Sequence, residues 1–522
     1  MPISRPAMLD VSRLKAPQEN GQVLVAPDPR VCVAALTTNA KALRAARTRL
    51  LDSTLAVWRR RTREELVGTD ASAVIVIGHQ PSFIHPGVWA KQVVAMRLAA
   101  AMDGVAMNLV VDSDVVRDAA LLVPSVRQER IVLQRVRWTK SRHDAAYEQI
   151  PRQTAEQFTD FDQSVRQALG DRYENSQMPT FAAGFRRASE ARDWVGQMLS
   201  ARQAIDARFG IAISDHRISS MAFLPLLADI LLNAERFAVC YNNALQWYRR
   251  TFRVRGRQRP IPDLHCDAGR LEVPFWAYHA NESRRRLFVE KTGDTLRLFA
   301  ERESVGQVSV QALRRGEVDD TLGKLGDWHL RPRALTLTLW ARLLLADLFI
   351  HGIGGAKYDR ITDKIITDYY GLEPPQIACV SATLWVDLPG KRASGTMVRE
   401  WRHQLRDLQY NPQRNLDLDS ELRSLAARRE EAVTRASRLR TADPSDRSAR
   451  RAAFEAIRGA NQALLAARPG ALAERQASID AALDELGQDR IARSREYFFG
   501  LYSRSGLQQL LDALPDERRF RV

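Results

Sequence analysis

Cysteine is scarce in this chain. Cys32, Cys240, Cys266 and Cys379 are the four among 522 residues, and none falls in a Cys-x-x-Cys spacing. That excludes a zinc ribbon and a disulfide framework and predicts buried thiols. Long uncharged apolar runs are missing too. The most hydrophobic stretch, 334–350, carries Arg342 and Asp347, so it is not read as a membrane span. The opening MPISRPAMLDVSRLK lacks the continuous apolar core of a signal peptide, and a cytoplasmic location without a membrane partner is expected.

Lysine is equally rare. Nine of the 78 basic residues are Lys, and the net charge of +16 comes mainly from Arg scattered along the chain among many alanines. No aromatic-plus-basic element or zinc spacing accompanies that charge, so nucleic acid is not an expected partner, whereas a small anion is. Patterns of the Gly-x-Ser-x-Gly, His-Glu-x-x-His or Cys-His nucleophile type are also absent, which gives no support to a hydrolase.

Apolar patterning is what the chain has. At 45 % hydrophobic, a chain of this length buries real cores and is long enough for roughly three domains. Residues 73–78 (AVIVIG) read as a buried strand. A helix over 87–103 follows, with Trp89, Val93, Met96 and Ala100 on one stripe, His85 at the cap and Pro86 in the first turn. Asp103-Gly104 stops it before a strand at 107–111. The arrangement recurs over 345–386: a strand ends at His351, a glycine-rich turn follows, and a helix puts Tyr358, Ile361, Ile365 and Tyr369 on one face before Gly371. A strand at 379–386 closes this second unit. Two such units, each needing a right-handed crossover, predict a Rossmann-like parallel α/β sheet.

Between the units, 154–209 and 223–252 are helical in pattern and 271–300 reads as a small antiparallel sheet, so inserts split the core. After about 390, Leu418, Leu422, Leu425, Ala432, Ala436 and Leu439 mark one seam, and Leu472, Ile479, Leu483 and Leu486 mark another. With TADPSD as a turn signal, this predicts an antiparallel coiled-coil hairpin, closed within one chain or joining two in a homodimer. The expected boundaries are 1–70 for a segment packing on the core (helix at 39–66), 71–145 for the first core half, and 146–260 for a helical insert. A β insert at 261–330, the second core half at 331–390 and the helical region at 391–522 follow, with the last segment docking back on the core.

Ligands of open α/β sheets bind beyond the carboxyl ends of the strands, where both glycine-bearing turns fall. Gly78, His79, Gln80, His85 and Gly87 belong to the first turn; His351, Gly352, Gly354, Gly355, Lys357 and Tyr358 belong to the second. Imidazoles and a carboxamide there offer donors, acceptors or acid/base groups, and a Lys beside exposed N–H groups suits a phosphate or carboxylate. The bland alternative is that Gly and Pro shape the turns while the histidines cap backbone groups. Asp112 and Asp114, after the strand NLVV, could hold an amine or a divalent cation, or form an Asx turn. Arg331 and Arg333 are candidate anion clamps, and His216, His265 and His329 are read as structural.

GHQPSFIHPGVWAKQVV followed by NLVVDSDVVRD resembles the N-terminal motif region of the bacillithiol biosynthesis cysteine-adding enzyme family, and RPRALTLTLWARLLLADLFIHGIGGAKYD is similar to its second half. The resemblance covers about 120 residues in two blocks, plus the order of the insertions and a late coiled coil. It implies a Rossmann-like core split by connective inserts, a helical hairpin used for dimerisation, and ligation of cysteine to a glucosamine-malate acceptor. This chain has His79-Gln80-Pro81 where the family has a Gln-Gln turn, adds His85, and lacks the family's Glu-Asp-His run, so a remote paralogue with altered chemistry is expected. The expected activity is that of a ligase or transferase binding a nucleotide or other anionic small molecule. His79 or His85 would move a proton, and Asp112 or Asp114 would hold an amine or metal. The rivals are a metal-dependent sugar-nucleotide transferase using Asp112 and Asp114, and a non-catalytic interaction protein working through the coiled coil.

Overall fold

The computed structural model describes residues 9–68, 72–139, 145–221, 223–254, 261–267, 269–388, 395–416, 419–442 and 444–521. The chain is a mixed α/β protein with many helices and a six-stranded, mostly parallel sheet. Its strands are β1 (Val23–Ala26), β2 (Val74–His79), β3 (Val105–Val110), β4 (Ser214–Arg217), β5 (Leu348–His351) and β6 (Ile377–Ala382). They lie in the order β1-β6-β5-β2-β3-β4, with β1 antiparallel to β6 and the other neighbours parallel. From β2 the chain therefore winds outward one way through β3 and β4 and the other way through β5 and β6. The expected strands at 73–78 and 107–111 are β2 and β3; the expected strand at 379–386 is β6, which starts and ends earlier.

Helix α1 (Pro86–Ala101) follows β2 and packs on β2, β3 and β6. Val88, Trp89, Val93 and Leu98 are all buried; a helix apolar on nearly every side has no face to give to water. The second turn leads into two helices, α3 (Ile353–Tyr358) and α4 (Arg360–Tyr370), where the sequence pattern had suggested one. Gly371, at φ +65°, caps α4 in the left-handed conformation that glycine adopts without strain. The insert before β4 ends in α2 (Trp194–Ala207).

The charges that interrupt the hydrophobic run at 334–350 are both buried and paired. Asp347 accepts from Arg59 at 2.6 Å and Arg63 at 2.9 Å, and Arg342 donates to Asp359 at 2.7 Å and Asp363 at 2.6 Å. Arg342 sits in a π-helical turn, Ala341–Leu345. No helix among the described residues is long and apolar enough to cross a membrane.

Several local expectations are corrected. In place of one helix at 39–66 there are two, Pro29–Arg44 and Leu55–Val67, because the chain reverses at Leu51 (φ +56°) and Thr54 caps the second. The segment expected as a purely helical insert returns to the sheet as β4. The antiparallel sheet is larger than 271–300, adding strands Glu303–Ser309 and His329–Pro332 at its two edges. A hairpin, Ala120–Arg127 with Arg130–Arg137, was not anticipated.

The described residues of Met1–Ser125, Leu133–Asp387 and Ser494–Val522 form one compact unit; Val126–Val132 with Leu388–Arg493 form a second. Within the second, helices Ser420–Ala442 and Arg447–Ala466 pack side by side around the anticipated turn, and Gly395–Tyr410 packs with Ala471–Ala492. The two seams read from the sequence thus belong to different helix pairs. Arg429 fastens the first pair, donating to the Asn461 side chain at 2.6 Å. Leu422 is buried, Leu483 is exposed, and Leu418 lies outside the described residues.

Candidate functional site

The first turn leaves β2 at His79. Its Nδ1 lies 3.1 Å from the Gln80 carbonyl, which can only accept, so Nδ1 carries the proton and Nε2 presents a lone pair. Burial and the nearby Lys91 ammonium push His79 down to about 3, leaving the imidazole neutral at physiological pH. Gln80 reaches Asp114, donating from Nε2 at 2.9 Å, so these two expected site residues do meet. Arg284 also pairs with Asp114, at 3.1 Å. Beside them lies a cavity of about 250 Å³ lined by Gln80, Asp114, Asp118, Trp138, Tyr147 and Glu496, among others.

His85 takes the capping role. Its Nδ1 accepts from the Gly87 N–H at 3.0 Å, and its Nε2 lies 3.5 Å from Glu496. Burial pushes it down to about 4 against the pull of Glu496, which suits an imidazole that must stay unprotonated on Nδ1 to hold the helix. Gly87 is required sterically rather than for ligand approach: a Cβ there would lie 2.8 Å from the Ala382 carbonyl and 3.1 Å from the Arg495 guanidinium. Gly87→Ala is therefore expected to cost about 1–3 kcal/mol through overpacking, read as a lower urea midpoint with an unchanged m-value. An unchanged midpoint would show that the helix start can shift freely.

Asp112 is committed to holding the chain rather than open to a ligand, accepting three bonds from Arg217 and Ser219. It is fully buried, its Oδ2 accepts from Arg217 at 2.7 Å and the Ser219 hydroxyl at 2.5 Å, and its Oδ1 accepts from the Ser219 N–H at 2.9 Å. A cation would have to displace Arg217. Among the described residues no group of three His, Cys, Asp or Glu side chains could hold a metal ion. Arg331 and Arg333 are likewise taken, by Glu148 at 2.9 Å and Glu272 at 2.7 Å.

The second turn divides. His351 is buried and bonded through Nε2 to Asp359 at 2.9 Å, and Gly355 lies against its ring, where a Cβ would come within 2.9 Å of Nδ1. Burial pushes the Asp359 carboxyl up, but Arg342 and His351 outweigh it and hold the group well below the usual carboxylate range. Gly352 and Gly354 face open space, with nothing within 4 Å of a Cβ on either. Lys357 is half-buried and has no ion pair among the described residues, and Tyr358 is exposed with its ring 5.8 Å from that of Tyr248.

Residues that the sequence reading missed connect the two turns. Lys91, on α1, is buried with its ammonium 3.1 Å from the Gly78 carbonyl and no carboxylate partner among the described residues. Burial lowers it to about 8. Arg202, on α2, is also buried; its Nε has no hydrogen-bond partner, and its charge acts on both Lys91 and His79. Asp206 answers it only in part, being bonded to the Trp89 indole at 2.7 Å and pushed up to about 7 by burial. Cys379, opposite His351 in the β5–β6 register, is raised to about 12 by burial while the charges of Lys91 and Lys357 both pull it down. The electrostatic neighbours thus run His79, Lys91, Cys379, Lys357 across the strand ends. The one sequence signal for Lys91 was its place, with Gln92, as a polar interruption of an otherwise apolar VWAKQVVAM.

No protein-family model matches this chain, and no curated protein matches it.

Proposed function

We propose that this protein is an enzyme of ligase or transferase type that binds a nucleotide or another anionic small molecule beyond the carboxyl ends of β2 and β5. The observation that carries the reading is Lys91: a buried ammonium held by one backbone carbonyl, with Arg202 nearby, no ion pair for either among the described residues, and only Asp206 acting on Arg202 from a distance. Burying a cation without a counter-charge is costly, and an anion arriving at the strand ends would offset that cost. The strand order supports the place. The five parallel strands wind outward from β2 in both directions; read as a Rossmann-like sheet, such an order would take its ligand where the winding reverses, between β2 and β5.

In this reading the N–H groups of the open Gly352–Gly355 turn and Lys357 hold the anion, above the field of Lys91 and Arg202. His79, neutral in the empty site, presents Nε2 to the ligand; a bound anion would raise its pKa toward the range useful for proton transfer. Gln80 and Asp114 sit beside the adjoining cavity, where they can take an amine or hydroxyl. The similarity of the two core blocks to the cysteine-adding enzymes of bacillithiol synthesis is consistent with such joining chemistry, with a different acceptor. Dimerisation through the helical region is part of the same proposal, and four free cysteines suit a cytoplasmic enzyme.

Calorimetric titration of the full chain with ATP tests it. Binding should weaken by about tenfold in His79→Ala or Lys357→Ala, the value of a lost charge-assisted hydrogen bond. Binding untouched by both substitutions removes these turns from the site; a folded protein that takes up no nucleotide favours the non-catalytic interaction protein instead.

A further inference from the structure

At the opposite edge of the sheet, where α4 ends shortly before β6 begins, lies a cavity of about 480 Å³ that shares no residue with the strand-end site. Its floor is buried and polar. The Tyr369 and Tyr370 hydroxyls donate to Asp229 Oδ2 at 3.1 and 3.3 Å, and the Asn233 amide lies 3.3 Å from Oδ1. Around it stand Arg49, Arg236 and Arg314.

Three other guanidinium groups of the same unit are taken by acids: Arg315 pairs with Glu317 at 2.7 Å, Arg249 with Asp263 at 2.9 Å and Arg286 with Glu301 at 2.8 Å. Among the described residues, none of the three at the cavity has an ion pair. Among the described residues the Arg49 guanidinium reaches only the Leu51 carbonyl, at 3.4 Å; Arg236 lies over the Tyr369 ring, 4.7 Å from its centroid, and donates to that residue's carbonyl; the Arg314 side chain makes no hydrogen bond there. The one acid in the lining, Asp229, is already bonded to two phenols and an amide. The Asp229 charge reaches Arg236 without pairing with it, and three planar donor forks with no ion pair among the described residues match the several oxygens of a phosphate. The space is that of a small-metabolite site, and the aromatic floor offers hydroxyl partners to the rest of such a molecule.

We propose that this cavity binds a phosphorylated, hydroxyl-bearing small molecule, its phosphate held by Arg49, Arg236 and Arg314 and its hydroxyl groups against Asp229 and the two tyrosines. The site stands independently of the strand-end reading.

Titration of the full chain with ribose 5-phosphate, inorganic phosphate and ribose tests it, using wild type, Lys91→Met and the double variant R49A/R314A. Both arginines are exposed, so the double variant should fold. Ribose 5-phosphate should bind wild type and Lys91→Met alike and more tightly than inorganic phosphate, with ribose alone not binding. Each lost arginine should weaken the ester by about tenfold, so R49A/R314A by about a hundredfold. Equal affinity in R49A/R314A, no binding of either phosphate by the folded chain, or binding lost in Lys91→Met alone would each overturn the proposal.

Discussion

Asp347→Ala should lose about 3–5 kcal/mol of stability, the range for breaking a buried ion pair from one side. This carboxylate accepts from Arg59 at 2.6 Å, from Arg63 at 2.9 Å and from the Val74 N–H at 2.9 Å, and it is as buried as both guanidinium groups. The two cations cannot reach water when it is removed. Both arginines come from helix Leu55–Val67, while Asp347 leads into β5 and Val74 opens β2. The acid therefore joins the N-terminal segment to the adjacent central strands, and the variant should unfold at much lower urea or be recovered insoluble. A midpoint within experimental error of wild type would mean that the cluster is solvated and the core arrangement is wrong. Replacing the whole triad with apolar residues of similar volume should restore much of the loss, because the desolvation cost of all three charges goes with them.

Lys91→Met should change stability in the other direction. The ammonium titrates at about 8 in the folded chain against an ordinary 10.5, because burial disfavours its charge. Below pH 8 both states carry the proton and the folded state bears the penalty. Between about 8 and 10.5 the unfolded chain binds more protons, so stability rises with pH, and above that window the penalty has gone. At pH 7 the shift corresponds to on the order of 3 kcal/mol, reduced to about 2 once the Gly78 carbonyl loses its donor. The variant should thus be more stable than wild type at pH 7 and lack the rise between pH 8 and 10.5, while binding ATP at least tenfold more weakly, as expected for a lost charge-assisted interaction. Urea titrations of both proteins across that range read the difference, with a smaller contribution from Cys379, whose thiol the Lys91 charge pulls down in wild type. A variant less stable at pH 7, with a curve parallel to wild type, would assign Lys91 a purely structural bond.

The parts of the fold legible in the sequence were those written in local pattern. β2, β5 and β6 are largely buried and read as apolar runs, and Gly and Pro bound the turns that follow β2 and β5. β4 was not legible: four residues, Ser-Asp-His-Arg, half-buried at a sheet edge, carry no apolar signal. The hairpin at 120–137 turns at Gln128 and Glu129, both at positive φ, where a Gly or Asn would have announced it. Pairing among the late helices depends on which seams meet in space, which repeating leucines alone do not specify.

The site follows the same division. Gln80, Asp114 and the glycine turn were each placed at the strand ends from where ligands sit on parallel sheets, but the bond between Gln80 and Asp114 was not read. His85 proved to be the cap that the sequence also allowed, and Asp112 was claimed by Arg217 from the far end of an insert, a partner no local spacing reveals. Lys91 and Arg202 went unseen because a lysine or arginine in a helix is ordinarily solvated; only the packing of α1 and α2 shows that these two are not.

A crystal of the full chain soaked with ATP gives the most direct test of the central claim, that the buried charge at the strand ends serves an anion. Phosphate density is expected beyond β2 and β5, against the Gly352–Gly355 turn and Lys357, with the His79 imidazole in contact with the ligand. An empty cleft at saturating ATP, or density confined to the Tyr369 cavity at the other edge of the sheet, would contradict it.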